Sequence, residues 1–304
     1  MLGPEEYVGI DLGGSHVSCI AVSSTGEVLR RHSVALSSRD VDTVVSTIVG
    51  CCSVVGLASC RGIGIAVPGN VDPTRGTTRY LPNFGWLEEV PLVELLSSQL
   101  SFPASKFYMR NDGRCAAIAE ARLGSGRHSK VFAMLTLGTG IGGALIIEGK
   151  LFDGSSFDAG DFGHHVICSG DEAMECVCGK RGCFEYHASA QGLVRHYTRR
   201  SGKSVSNAAD VLAVLRSKDV QAEAAFRDFR RDLATGLANL VTFYNPDTIS
   251  LGGGLSLAEE VFEGLQEEVD RLTLPATRGR VKIVPASLRT DAGAIGAALL
   301  ALNQ

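Results

Sequence analysis

Residues 7–22 read Tyr-Val-Gly-Ile-Asp-Leu-Gly-Gly-Ser-His-Val-Ser-Cys-Ile-Ala-Val: a short apolar strand, Tyr7 to Ile10, broken at Asp11-Leu12-Gly13-Gly14-Ser15 and resumed from Val17 to Val22. A turn at Ser24-Thr25-Gly26 leads into a third run, Val28 to Val34. Apolar runs punctuated by glycine and serine predict strand, turn, strand, turn, strand. The same grammar returns from Val131 to Leu137, then Gly138-Thr139-Gly140, Ala144 to Ile147, a Glu148-Gly149 turn and Lys150-Leu151-Phe152, with Leu12-Gly13 matching Leu137-Gly138. Two such copies imply a duplicated α/β unit with a ligand cleft between them.

The intervening segments complete that reading. Val41 to Val55 and Leu92 to Leu100 carry apolar residues at helical spacing, and Gly62 to Val67 reads as a buried strand ending at Pro68-Gly69. A helix from Gly113 to Leu123 opens directly after Asn111-Asp112. Val220 to Tyr244 is a long amphipathic helix that stops before Pro246, because the residue preceding proline is driven out of helical geometry. A strand at Thr248 to Leu251, three glycines and a helix from about Leu257 to Leu272 follow. The apolar run Ala292 to Leu302 is shorter than the roughly 20 residues that cross a bilayer, so it reads as a buried terminal helix.

Composition narrows the function classes. The chain has 304 residues, enough for two ordinary domains, and its net charge of -4 supplies no field for a polyanion, so nucleic acid is not expected as a partner. Its start, Met-Leu-Gly-Pro-Glu-Glu-Tyr, lacks the basic-then-apolar order of an export signal, and no membrane association is expected. Nine cysteines, an odd number, suit a reducing compartment rather than a disulfide framework, and the expected location is the cytoplasm.

Three glycine turns, Gly13-Gly14-Ser15, Gly138 to Gly143 and Gly252-Gly253-Gly254, follow strands. Backbone amides cradle phosphates where no side chain blocks the approach, although glycine also simply closes hairpins. A Rossmann fingerprint is excluded because Gly138 to Gly143 leads into strand-like Ala-Leu-Ile-Ile rather than a helix, and no stretch meets the full P-loop signature. Asp11, beside the first turn, is suited to hold hydrated magnesium; Thr136 stands in the equivalent place of the second copy. Cys176, Cys178 and Cys183, with His164 upstream, offer four donors for tetrahedral zinc with no open position, hence a structural site. Gly179 and Gly182 supply the tight turning a chelate loop needs; a reduced, metal-free cluster is the plainer alternative.

These motifs, together with Gly64-Ile-Ala-Val-Pro-Gly69, Leu81-Pro-Asn83, Ala159-Gly-Asp-Phe-Gly-His164 and Cys176-Val-Cys-Gly-Lys-Arg-Gly-Cys-Phe-Glu185, resemble the ROK family (repressor, open reading frame, kinase) over nearly the whole chain. Its members include bacterial glucokinases and N-acetylhexosamine kinases. The resemblance implies two ribonuclease H-like domains of the actin/hexokinase-like fold with an interdomain active-site cleft, here residues 1–113 plus 291–304 and residues 114–290. It implies that Gly13, Gly14, Ser15, Gly138, Thr139 and Gly140 surround the ATP phosphates and that Gly253 and Gly254 approach the adenosine. Asn83, Asn111, Asp112, Asp161, His164 and Glu185 would line the sugar. It selects His164 over its neighbour His165 as the zinc ligand, folds the terminal helix onto the first domain, and implies a homodimer or homotetramer.

The chemistry expected of this set is phosphoryl transfer from ATP to a hexose, glucose first and an N-acetylated hexosamine second. Asp112 would orient the hydroxyl and accept its proton; the plain reading of an aspartate at a helix start is a cap. His164 would hold zinc by one ring nitrogen and a sugar hydroxyl by the other, and Glu185, two residues beyond Cys183, would be fixed by the loop. With those residues at the far end of the ring, position 6 is the expected acceptor. Asp161 stands where the family carries glutamate, one methylene longer, Ser15 replaces a threonine, and Cys168 to Glu175 departs from the common proline-aspartate-glycine version. The family's repressors carry a DNA-binding module ahead of the first strand; six residues precede Tyr7 here, so none is expected. A silent sugar sensor is the competing class, opposed by Asp112 and the three turns.

Overall fold

Strand β1 (Glu6–Leu12) is buried at five of its seven positions, as befits a strand covered on both faces. It is antiparallel to β2 (His16–Ser23), which pairs with the largely exposed edge strand β3 (Val28–Ala35). The computed structural model describes residues 5–79, 81, 85–288 and 291–303. Helix α1 (Val41–Val55) starts at Asp40, whose carboxylate accepts the Thr43 N–H at 2.8 Å, and stops at Gly56 with φ 85°. Then come β4 (Cys60–Val67), a small hairpin of β5 (Val71–Asp72) and β6 (Thr77–Thr78), α2 (Leu92–Leu100), β7 (Phe107–Asn111) and α3 (Asp112–Leu123). The sheet order is β3-β2-β1-β4-β7, with β1, β4 and β7 parallel. This unit comprises the described residues of Met1–Leu123, Asp153–Asp158 and Thr290–Gln304.

The second unit, Gly124–Phe152 with the described residues of Ala159–Arg289, repeats the plan. Strands β8 (Val131–Leu137), β9 (Ile141–Ile147) and β10 (Lys150–Leu151) form the antiparallel meander. Helices α4 (Phe184–Ala188), α5 (Ala190–Ser201), α6 (Ala208–Arg216) and α7 (Val220–Tyr244) precede β11 (Thr248–Gly252), α8 (Leu265–Leu272) and β12 (Lys282–Pro285). The order β10-β9-β8-β11-β12, with β8, β11 and β12 parallel, is that of the first sheet position for position. The repeat read from Leu12-Gly13 and Leu137-Gly138 is therefore structural: each pair closes the first strand of its sheet. The helix expected from about Leu257 is shorter. Residues Gly254–Leu257 and Glu259–Val261 form separate 3₁₀ turns, and α8 starts only after Gly264, whose φ of 69° interrupts helical geometry.

The terminal helix α9 (Ala292–Leu302) lies on β1 and β4, backbone against backbone. A Cβ on Gly64 would sit 1.7 Å from the Ala297 carbonyl oxygen, and one on Gly9 1.9 Å from that of Ala294. One on Gly296 would lie 1.6 Å from the Cys115 carbonyl oxygen of α3. The glycines and alanines of this run thus serve close packing rather than membrane insertion. Among the described residues no helix is long and apolar enough to cross a membrane.

Candidate active site

In the first unit, β1 and β7 run parallel on either side of β4, and their C-terminal ends carry Asp11 and Asn111-Asp112. Ligands of parallel α/β sheets gather at this end of the strands. Asn111, not Asp112, caps α3: its Oδ1 accepts the Arg114 N–H at 3.3 Å, while its Nδ2 donates to the Gly69 carbonyl oxygen at 3.1 Å. The second amide hydrogen faces the Asp112 carboxyl, and one lone pair of Oδ1 remains for a ligand. Asp112 is the first helical residue, half-buried, with Oδ1 accepting the Gly113 N–H at 2.7 Å. Burial raises its carboxyl above the ordinary range against the pull of that N–H and of Asn111. Burial, and then the Asp112 charge, push Asp11 to about 6. A buried carboxyl whose ionisation a neighbouring carboxylate opposes is a ready environment for a proton or a cation.

The first glycine turn is a tight connection between β1 and β2. The Gly13 N–H donates to the His16 carbonyl oxygen at 2.9 Å, the Ser15 hydroxyl meets His16 Nδ1 at 2.9 Å, and Gly14 and Ser15 are exposed. Segment Asp153–Asp158 is stitched onto the same unit. Arg110 makes paired bonds to Asp153 at 3.1 and 2.9 Å and stands over the Phe157 ring, and Asn70 donates to Asp158 at 2.8 Å. No sequence signal marks these pairs, because partners 43 and 88 residues apart in the chain leave no periodicity.

In the second unit, the Gly138-Thr139-Gly140 turn is held at its ends and open at its tip. Gly138 donates to the Gly140 carbonyl oxygen at 3.0 Å and accepts the Ala190 N–H, at the start of α5, at 2.9 Å, while Thr139 is exposed. Glu185, in the first turn of α4, accepts the Ile141 N–H at 2.9 Å. A Cβ on Gly140 would lie 2.1 Å from Glu185 Oε2, so that glycine leaves room for the carboxylate. Gly253, with φ 83°, packs on the end of β8, where a Cβ would meet the Leu137 carbonyl oxygen at 2.6 Å; Gly254 is exposed. The structure therefore joins the second and third glycine turns and Glu185 in one patch. Asp161 is exposed at the start of the 3₁₀ turn Phe162–His164 and makes no capping bond with its side chain. Asn83 lies outside the described residues.

His164, Cys176, Cys178 and Cys183 converge, with all four donor atoms within 4.8 Å of one another. His164 Nδ1 lies 3.8 Å from Cys176 Sγ, and Cys178 Sγ 3.5 Å from Cys183 Sγ. The loop is built for this. Gly179 and Gly182 take φ of 83° and 77°, the Cys176 N–H donates to the Lys180 carbonyl oxygen at 2.8 Å, and a Cβ on Gly182 would collide with the Cys168 carbonyl oxygen at 2.0 Å. Burial raises the Cys176 and Cys183 thiols, so a cation is needed to hold them as thiolates. Three thiols and an imidazole at this spacing fit zinc. His165 points elsewhere, with Nδ1 2.6 Å from the Phe162 carbonyl oxygen and its ring against Phe184.

A family model described as the ROK family matches residues 7–304. The glucokinase of Streptomyces coelicolor is 30% identical over 97% of this chain and 96% of that protein. An N-acetyl-D-glucosamine kinase of Escherichia coli is 31% identical over 98% of this chain and 99% of that one. Among solved structures, a ROK family glucokinase from Streptomyces griseus in complex with glucose and AMPPNP superposes with a TM-score of 0.77 at 29% identity, over 98% of this chain and 100% of that one.

Proposed function

The chain belongs to the ROK family and is a sugar kinase of actin/hexokinase-like fold, and from that premise we propose that it phosphorylates glucose with ATP at the hydroxyl of position 6. The observation that carries the chemistry is Asp112: a half-buried carboxyl of raised basicity at the sheet end that also carries Asp11, freed from capping by Asn111. In a loose phosphoryl-transfer transition state little covalent work is required, so Asp112 orients the acceptor hydroxyl and takes its proton as the oxygen bonds to the γ-phosphorus and the bond from that phosphorus to the bridging oxygen breaks, releasing ADP. Asp11 would hold hydrated magnesium, whose charge would offset that of the phosphates. The exposed tips of the turns at Gly13-Gly14-Ser15 and Gly138-Thr139-Gly140 present backbone N–H groups to the phosphates, and Gly254, held in place by Gly253 on the end of β8, leaves space for adenosine. Glu185, Asp161 and Asn111 take sugar hydroxyls, as does the free nitrogen of a zinc-held His164.

N-acetylglucosamine is the second reading, supported by the 31% identity to the Escherichia coli N-acetyl-D-glucosamine kinase. ATP consumption by the purified chain against glucose, mannose, N-acetylglucosamine and N-acetylmannosamine tests both. The highest kcat/KM on glucose supports the first reading, and preference for an acetylated sugar supports the second. Sugar binding without turnover on any of them would overturn both.

A further inference from the structure

A second cluster of metal-ligating side chains lies in the second unit, built from three helices. His187 of α4, His196 of α5 and Asp232 of α7 are all buried, and their donor atoms lie within 4.8 Å of one another. His187 Nδ1 is 3.1 Å from Asp232 Oδ2 and His196 Nε2 is 3.2 Å from the same oxygen. The cluster borders a cavity of about 320 Å³ whose wall also includes Cys168 and Glu172, from the stretch of the cysteine loop to which the sequence assigns no role.

We propose that His187, His196 and Asp232 bind a divalent first-row transition cation of the zinc type. Two donors of one tetrahedral ion at bond lengths of about 2.0–2.1 Å stand about 3.3–3.4 Å apart, close to both separations seen here. The cysteine site of the same unit shows the same kind of convergence, with gaps of 3.5 and 3.8 Å that would suit the longer metal–sulfur bonds. Arg231 donates to Asp232 Oδ1 at 3.2 Å, which leaves Oδ2 for the ion.

Without the ion, the Met174 N–H faces His187 Nε2 at 3.4 Å, which places the ring proton on Nδ1, toward Asp232. Metal binding displaces that proton and also the one that His196 Nε2 directs at the His187 carbonyl oxygen, 3.1 Å away, each ring taking its single proton on its other nitrogen; on His187 that is Nε2, where Cys168 Sγ, 3.3 Å away, replaces the Met174 N–H as its partner. Such an outer partner orients a ligating imidazole. The cavity leaves the fourth position to water, so the ion is of the open, exchangeable kind rather than the closed cysteine type.

The test is cobalt(II) reconstitution of the metal-stripped full chain, followed by metal analysis and absorption spectroscopy. Two equivalents per chain are expected, one with intense near-ultraviolet thiolate bands and one with only the weak visible bands of nitrogen and oxygen ligands. Asp232→Asn and His196→Gln should each lose one equivalent and keep the thiolate bands. A single equivalent lacking thiolate bands in the wild type also supports the assignment, and its loss in the variants completes it. Wild type that binds only one equivalent, with thiolate bands, overturns the proposal whether or not the variants fold, as do folded variants that keep both.

Discussion

The Glu185 carboxylate accepts the Ile141 backbone N–H at 2.9 Å, which ties the residue just beyond the cysteine loop to the glycine turn between β8 and β9. Gly140 occupies the only kind of position that permits it, since a Cβ there would stand 2.1 Å from the carboxylate oxygen. A turn suited to phosphates and a residue suited to a sugar thus share one constraint.

Gly140→Ala should therefore act as a sugar-binding lesion as well as a nucleotide one. Displacing Glu185 forfeits a charged hydrogen bond worth about 1.5–3 kcal/mol. The hexose KM is expected to rise roughly 10- to 100-fold, and Glu185→Gln should give a rise of the same kind. Steady-state kinetics with each substrate varied in turn checks this; a change confined to the ATP KM would count against the coupling.

Asp112→Asn keeps the side chain's shape and removes the proposed base. A fall in kcat of about 10²- to 10⁴-fold is expected with sugar affinity little changed, read by turnover alongside calorimetric binding. Asn111→Ala should instead lower thermal stability, because it uncaps α3 and releases the Gly69 carbonyl oxygen.

Asp11, raised to about 6 from an ordinary 3.8, is a stability switch with a definite sign. The folded chain holds its proton more tightly than the unfolded one, so the contribution is present below the ordinary value and is lost as pH rises through 6. Magnesium should offset that loss. Thermal melts are expected to show a larger magnesium-induced rise at pH 7.5 than at pH 5.5, and Asp11→Asn should abolish the difference.

On the proposed zinc site, chelation or Cys183→Ser should loosen residues 166–183 and the start of α4. The hexose KM is expected to rise about 10-fold or more while the ATP KM changes little, since a metal that closes a loop contributes directly to its folding. Limited proteolysis should then cut first within that loop; unaltered kinetics in protein proven free of metal would refute the coupling.

Gly64→Ala places a methyl group 1.7 Å from a backbone oxygen of α9. Overpacking of this kind costs about 1–3 kcal/mol. Denaturant unfolding should register the loss, with sugar specificity unchanged.

Much of this was legible without coordinates. The meander of strands, its second copy, the ends of α1, α2 and α7, the apolar terminal helix and the Cys176-Cys178-Cys183 spacing all depend on neighbours a few residues apart, and short-range steric and solvation preferences write themselves into sequence order. Even there Gly264 escaped, because a single left-handed residue within an otherwise helical pattern leaves the periodicity intact.

What only the tertiary structure decided concerns partners far apart in the chain. It made Asn111 the cap and freed Asp112, gave Gly140 its second task, carried Asp153–Asp158 back to the first unit, and gathered His187, His196 and Asp232 from three helices. His187 and Asp232 are 45 residues apart, and nothing in local propensity links them. Their encounter is set by which helix faces bury apolar surface together, a property of the whole packed unit and of no segment within it.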